Sequence, residues 1–134
     1  MNYKIEEGIS KTIRREVTSL NSAGMYGSGV LDFLLSTPAA ISMAIEASIA
    51  LLDPLLPDGY VTVGRSIDMQ HRQPTLVGEG ISLTVSVIEV KNDHILLDIE
   101  IHDTHGLVIK GRHERSVINA SELIRAAYAR SEQK

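Results

Sequence analysis

Three stretches in the second half of the chain alternate apolar and polar residues with a period of two. Residues 61–70 put Val61, Val63, Ile67 and Met69 on one face, residues 80–90 put Ile81, Leu83, Val85 and Val87 there, and residues 94–102 put Ile95, Leu97, Ile99 and Ile101 there. Side chains two apart share a face of a strand, so the pattern predicts half-buried antiparallel strands, with Asn92-Asp93 as the turn between the last two. A fourth strand, Leu107 to Ile118, follows the HDTHG turn, and its Gly111 predicts a bulge or a close approach of backbones. Upstream, Ile9, Ile13 and Val17 are separated by Lys11, Thr12, Arg14 and Arg15, which predicts a strand exposed on one side.

Between the first strand and the others the period changes. Thr37 is placed to cap a helix and Pro38 occupies a first-turn position where a missing N–H costs nothing. From Pro38 to Leu52 the only polar side chains are Ser42, Glu46 and Ser48, and Asp53-Pro54 ends the run. A helix apolar nearly all round is expected to be enclosed on most sides. Residues 21–30, NSAGMYGSGV, predict a mobile loop or lid, and Val30 to Leu35 a short helical turn. The tail from Ala120 to Arg130 predicts a second helix, capped by Asn119 or Ser121. The order of elements predicts an α+β fold in which an antiparallel β-sheet wraps around a long central α-helix, the hotdog architecture. An open sheet edge of this kind is expected to be closed by a second copy, giving a homodimer or a tetramer of two dimers.

The 134 residues are expected to form a single domain, and composition narrows what it does. A net charge of −4 without clustered cations argues against a nucleic-acid surface. The absence of cysteine excludes a disulfide scaffold, a thiolate zinc site and a cysteine nucleophile. The opening MNYKIEEGIS has no secretory pattern, and the apolar run of residues 38–52 is shorter than the roughly 20 residues that span a bilayer. The expectation is a cytoplasmic protein without a membrane partner. No metal-binding histidine pair, phosphate loop, dinucleotide fingerprint or nucleophile elbow is present, so no metal or cofactor is expected.

Three residues suggest chemistry. Glu46 is a carboxylate on an apolar helix, either pointing to a wet edge or buried for a purpose. Thr37 reads as a cap, but a helix N-terminus in a cleft also stabilises an oxyanion. His71 stands where the chain leaves its strand, in the segment HRQPT, and is the histidine most suited to acid–base work. His94, His102, His105 and His113 read as surface groups.

Together STPAAISMAIEA at the helix, PLLPDGYVTVGRSIDMQHRQPT through the first long strand and HDTHGLVIKGRHERSVI near the end resemble the fluoroacetyl-CoA thioesterase family of hotdog enzymes, from about Val30 to Ile118. The resemblance implies hydrolysis of a small acyl-coenzyme A thioester, with coenzyme A entering only as part of the substrate. It implies Thr37, Glu46 and His71 as the catalytic group, the Gly64 N–H as donor to the thioester oxygen, and Arg115 near the active site. The family's carboxylate falls at Ile45 when counted from Thr37, so Glu46 stands one residue late. Either the helix shifts to present Glu46, or Thr37, His71 and water work without it. Arg72, Lys110 and Arg112 are available for coenzyme A phosphates, or form a solvated charged face. The rival reading is a non-catalytic hotdog protein that binds acyl-CoA or another small ligand.

Overall fold

The computed structural model describes residues 3–133. Five strands, β1 (Ser10–Glu16), β2 (Tyr60–His71), β3 (Gly80–Lys91), β4 (His94–Asp103) and β5 (Gly106–Asn119), form one antiparallel sheet in the order β1-β3-β4-β5-β2. Helix α1 (Thr37–Leu52) lies against it, and α2 (Ala120–Ser131) follows β5. The tight β3–β4 turn rests on Asn92, whose φ of 57° is the only positive value on a non-glycine among the described residues. Asparagine tolerates that left-handed conformation better than most residues.

The alternating faces meet the helix as expected. Ile81, Leu83, Val85 and Val87, with Ile95, Leu97, Ile99 and Ile101, are buried against Ala39, Ala40, Met43, Ala44 and Ala47 of α1. Four alanines on the buried stripe keep that side of the helix slim enough to sit close to the sheet. The buried Ser48 hydroxyl donates to the Ala44 carbonyl at 2.7 Å, so it carries no unpaired donor into the core. Truncating a fully buried strand residue such as Leu97 to alanine is expected to cost about 2–5 kcal/mol. With the turn after it, α1 forms an apolar 19-residue stretch, Thr37–Leu55, long enough by composition to cross a membrane. Its alanine face is covered by the sheet.

The structure revises three expectations and decides a fourth between its two alternatives. Ser36, not Thr37, caps α1: its hydroxyl accepts from the Ala39 N–H at 3.1 Å, which leaves the Thr37 side chain free. The helix is not enclosed on most sides, because Ile49, at 40% exposure, and Glu46 lie on an open face. Gly111 makes a close approach without a bulge, since a Cβ there would run into the Asp68 carbonyl and the Met69 side chain. The bulge lies instead in β2, between Gly64 and Ser66. One extra residue reverses the side-chain phase. Ile67 and Met69 therefore pack on the core as expected, whereas ahead of the bulge Tyr60 and Thr62, not Val61 and Val63, point inward.

Candidate active site

The first turn of α1 and the last residue of β2 converge. With the cap duty taken by Ser36, Thr37 Oγ1 lies 2.8 Å from His71 Nδ1. Both line a cavity of about 510 Å³ whose wall includes Tyr26, Leu31, Leu34, Leu35, Pro38, Arg72 and Pro74. Burial pushes the His71 imidazole below its ordinary value of 6.5, partly opposed by the backbone of Gln73, so the ring is neutral at pH 7. Its other nitrogen, Nε2, is buried and has no hydrogen-bond partner among the described residues. A buried polar atom without a partner costs about 1–3 kcal/mol, so Nε2 keeps hydrogen-bonding capacity in reserve.

Glu46 is not part of this group within the chain. Nine residues along a helix carry it about 13 Å down the axis from Thr37 and half a turn round to the opposite side. There it accepts a 2.7 Å ion-pair hydrogen bond from Arg15 of β1, and its side chain is 58% exposed. Because β1 and β2 are the two opposite edges of the sheet, Glu46 and His71 are anchored at different ends of the fold. Glu46 lines a separate hollow of about 310 Å³, and Tyr26 borders both.

The remaining expected residues are dispersed. Gly64 lies on the edge strand seven residues before His71, roughly 20 Å along an extended chain. Arg115, buried at 3% exposure, pairs with Gly64 in register and turns its guanidinium under the bulge. Arg72 stands at the Thr37–His71 cavity, holding the Gln70 amide oxygen at 2.8 Å. Lys110 is committed to Asp98 at 2.9 Å and Glu100 at 3.1 Å, and Arg112 lies 4.0 Å from Asp98. Of the expected phosphate-binding cations, only Arg72 borders the cavity.

One histidine is not where the sequence placed it. His94 and His105 are exposed and His102 is partly exposed, but His113 is 2% exposed, with Nδ1 2.8 Å from the Ser66 carbonyl and Nε2 3.1 Å from Arg115 Nη1. The signal was available in β5. Ile109, Gly111, His113, Arg115 and Val117 share one phase, and the apolar ends of that series mark it as the inward one.

Comparison with known proteins agrees with this fold. The profile of the fluoroacetyl-CoA-specific thioesterase family matches residues 17–121. Among solved structures, a hot-dog-like protein from Thermanaerovibrio acidaminovorans superposes with a TM-score of 0.91 at 25% identity, covering 96% of this chain and 94% of that one. A mutant of the fluoroacetyl-CoA-specific thioesterase FlK gives 0.86 at 18% identity, covering 98% and 100%. A Thermus thermophilus member of the thioesterase superfamily gives 0.84 at 18% identity, covering 98% of each. No curated protein matches the sequence. With the antiparallel sheet around α1 and the matched segment running from just after β1 into the start of α2, the chain has the hotdog fold and belongs to the fluoroacetyl-CoA-specific thioesterase family.

Proposed function

We propose that this protein hydrolyses the thioester of a small acyl-CoA, with Thr37 as nucleophile and His71 as its base. The observation that carries this reading is the 2.8 Å contact between Thr37 Oγ1 and a neutral His71 Nδ1 at the wall of a cavity lined in part by apolar side chains. A hydroxyl and a base in hydrogen-bond contact form the minimal unit of acyl transfer. Leu31, Leu34, Leu35 and Pro38 suit an acyl group, and Arg72 suits a coenzyme A phosphate. Solved structures of FlK mutants hold fluoroacetate with CoA in one case and acetyl-CoA in another.

The chemistry balances without a cofactor. As the Thr37 oxygen attacks the carbonyl carbon, its proton passes to His71 Nδ1. The C–S bond then breaks, and the departing thiolate takes that proton. Water, deprotonated by the same nitrogen, cleaves the Thr37 ester and frees the acid and the hydroxyl. Glu46 takes no part in this scheme, which uses the Thr37–His71 pair without the family's carboxylate.

Gly64 cannot serve the same carbonyl from within one chain, because it is too far along β2. The open edge of β2 offers the remedy. Two β2 strands paired antiparallel about a two-fold near Ile67 and Asp68, midway between Gly64 and His71, set Gly64 of one copy against His71 of the other. We therefore read the protein as a homodimer with two composite sites, the Gly64 N–H of each copy polarising the thioester held by its neighbour.

The test is thiol release from a panel of short, branched and aromatic acyl-CoAs, with sedimentation to read the oligomeric state. Turnover of at least one small acyl-CoA by a dimer, abolished in His71→Ala, is expected. Equal rates for wild type and His71→Ala on every thioester would overturn the reading. Tight binding of one acyl-CoA without turnover would make the protein a carrier instead.

A further inference from the structure

Beneath Gly64 runs a chain of buried hydrogen bonds that the scheme above does not use. Arg115 donates through Nε to Thr62 Oγ1 and through Nη2 to the Thr62 carbonyl, both at 2.8 Å, and through Nη1 to His113 Nε2 at 3.1 Å. Because Nε2 accepts, the His113 proton sits on Nδ1, which donates to the Ser66 carbonyl at 2.8 Å. At the other end the Thr62 hydroxyl donates to Asp53 Oδ1 at 2.6 Å and the Thr62 N–H reaches the same oxygen at 3.2 Å. Asp53, at the C-terminal end of α1, thus supplies the countercharge of Arg115 at one remove.

The placement of these contacts matters more than their number. Residues 62 and 66 lie two positions to either side of Gly64, and both of their carbonyls are held by side chains of β5. Gly64 has no side chain with which to anchor itself, and the space under it is filled by His113 Cε1 and Arg115 Nη1, at 3.4 and 3.6 Å from where a Cβ would be. Burying a guanidinium is a poor way to gain stability, since a well-packed apolar set of similar volume often does as well or better. What such a network does supply is a single geometry.

We propose that the Asp53–Thr62–Arg115–His113 chain is a positioning device: it clamps β2 on both sides of the bulge and so sets the direction of the Gly64 N–H. His113 and Arg115 are positioning residues that act on the oxyanion through Gly64 without touching substrate. The inference rests on the thioesterase reading. It also accounts for a buried Arg115 at a position that the family resemblance implies is near the active site.

The experiment compares His113→Leu, His113→Asn and His113→Gln in the full-length protein by kcat and KM for thiol release, thermal melting, and amide exchange at Gly64 and Arg65. Asn keeps an N–H for the Ser66 carbonyl, whereas Gln keeps an acceptor for Arg115 but not that donor. His113→Leu is expected to lose about 10- to 100-fold in kcat with KM nearly unchanged, a fraction of what deleting an oxyanion donor costs. Asn is expected to restore most of that loss and Gln little. A folded His113→Leu with wild-type kcat would overturn the proposal. If Leu fails to fold, equal and full kcat in Asn and Gln would do the same. Should the wild type hydrolyse no thioester, the thioesterase reading falls separately, and amide exchange still decides the clamp. Faster exchange at Gly64 in the Gln variant than in the Asn variant upholds it, and exchange unchanged in both ends it.

Discussion

Two histidines on neighbouring strands have similar surroundings and opposite states. Both His71 on β2 and His113 on β5 are pushed below the ordinary imidazole value chiefly by burial, and both are neutral at pH 7. His113 has each nitrogen matched, one to a carbonyl and one to a guanidinium, so its tautomer and ring plane are fixed. His71 has one nitrogen against a threonine hydroxyl, while the other has no hydrogen-bond partner among the described residues and only the Gln73 backbone acting on the ring. A saturated buried imidazole is part of the scaffold. An unsaturated one at a cavity wall has proton-transfer capacity in reserve, held at a cost to stability. The difference separates architecture from chemistry more clearly than burial or pKa alone.

The comparison breaks most visibly at His71. Replacing it with alanine removes the base and the unpartnered nitrogen together, so kcat is expected to fall by roughly 10²- to 10⁴-fold while the melting temperature holds or rises. Thiol-release kinetics and calorimetry on one preparation check both halves, and a large drop in melting temperature would place His71 with His113 as scaffold. Thr37→Val follows, with a loss of about 10²-fold or more, whereas Thr37→Ser retains activity because the hydroxyl survives. Equal rates for the valine and serine variants would remove Thr37 as nucleophile.

A smaller effect comes from pH, and its sign is set by both rings. In the unfolded chain each imidazole takes up a proton near pH 6.5, whereas in the folded chain each does so only at lower pH. The unfolded state therefore binds more protons below that point, and stability falls as pH drops through 6.5 toward the folded values. The slope is at most about 1.4 kcal/mol per pH unit for each ring. The charged group facing His113 is Arg115, with Asp53 behind Thr62, while its register partners Ile67 and Leu97 do not titrate. Denaturant titrations between pH 7 and 5 are expected to show this loss, and His113→Asn to show a shallower one. The acid limb of kcat, which reports neutral His71, is likewise expected below 6.5.

Much of this was legible in the chain itself. The strands β3 and β4 carry unbroken alternation, and α1 carries a strong stop and start, so local pattern and tertiary burial agree. The Thr37–His71 pair was foreseen through resemblance, and the structure brings the two together. The bulge was not foreseen, because a one-residue phase change inside β2 leaves Val61 and Val63 as apolar as true core positions. His113 is hard to place for a related reason: an inward phase that carries His and Arg in its middle looks like an outward one until the apolar residues Ile109 and Val117 at its ends are counted. Ser36 was passed over because Ser-Thr-Pro offers two capping side chains, and only three-dimensional geometry shows which one closes the helix.

Glu46 provides the mildest perturbation and the sharpest contrast with His71. As the acidic side chain on α1 it invited a catalytic role, yet it is more than half exposed and paired with an Arg15 that is itself 44% exposed. Exposed pairs of this kind contribute about 0–1 kcal/mol, since water screens them and two long side chains must be ordered. Glu46→Gln keeps the shape and one acceptor while removing the charge. It is expected to change stability by less than about 1 kcal/mol, with the difference shrinking further in high salt, and to leave kcat within about twofold of wild type, far from the scale of losing an acid–base group. A loss of a hundredfold or more in kcat at unchanged melting temperature would mean that Glu46 leaves Arg15 when two copies meet and reaches the orphaned His71 nitrogen of the other. The contrast between the wet carboxylate and the dry imidazole would then hold only for the separated chain.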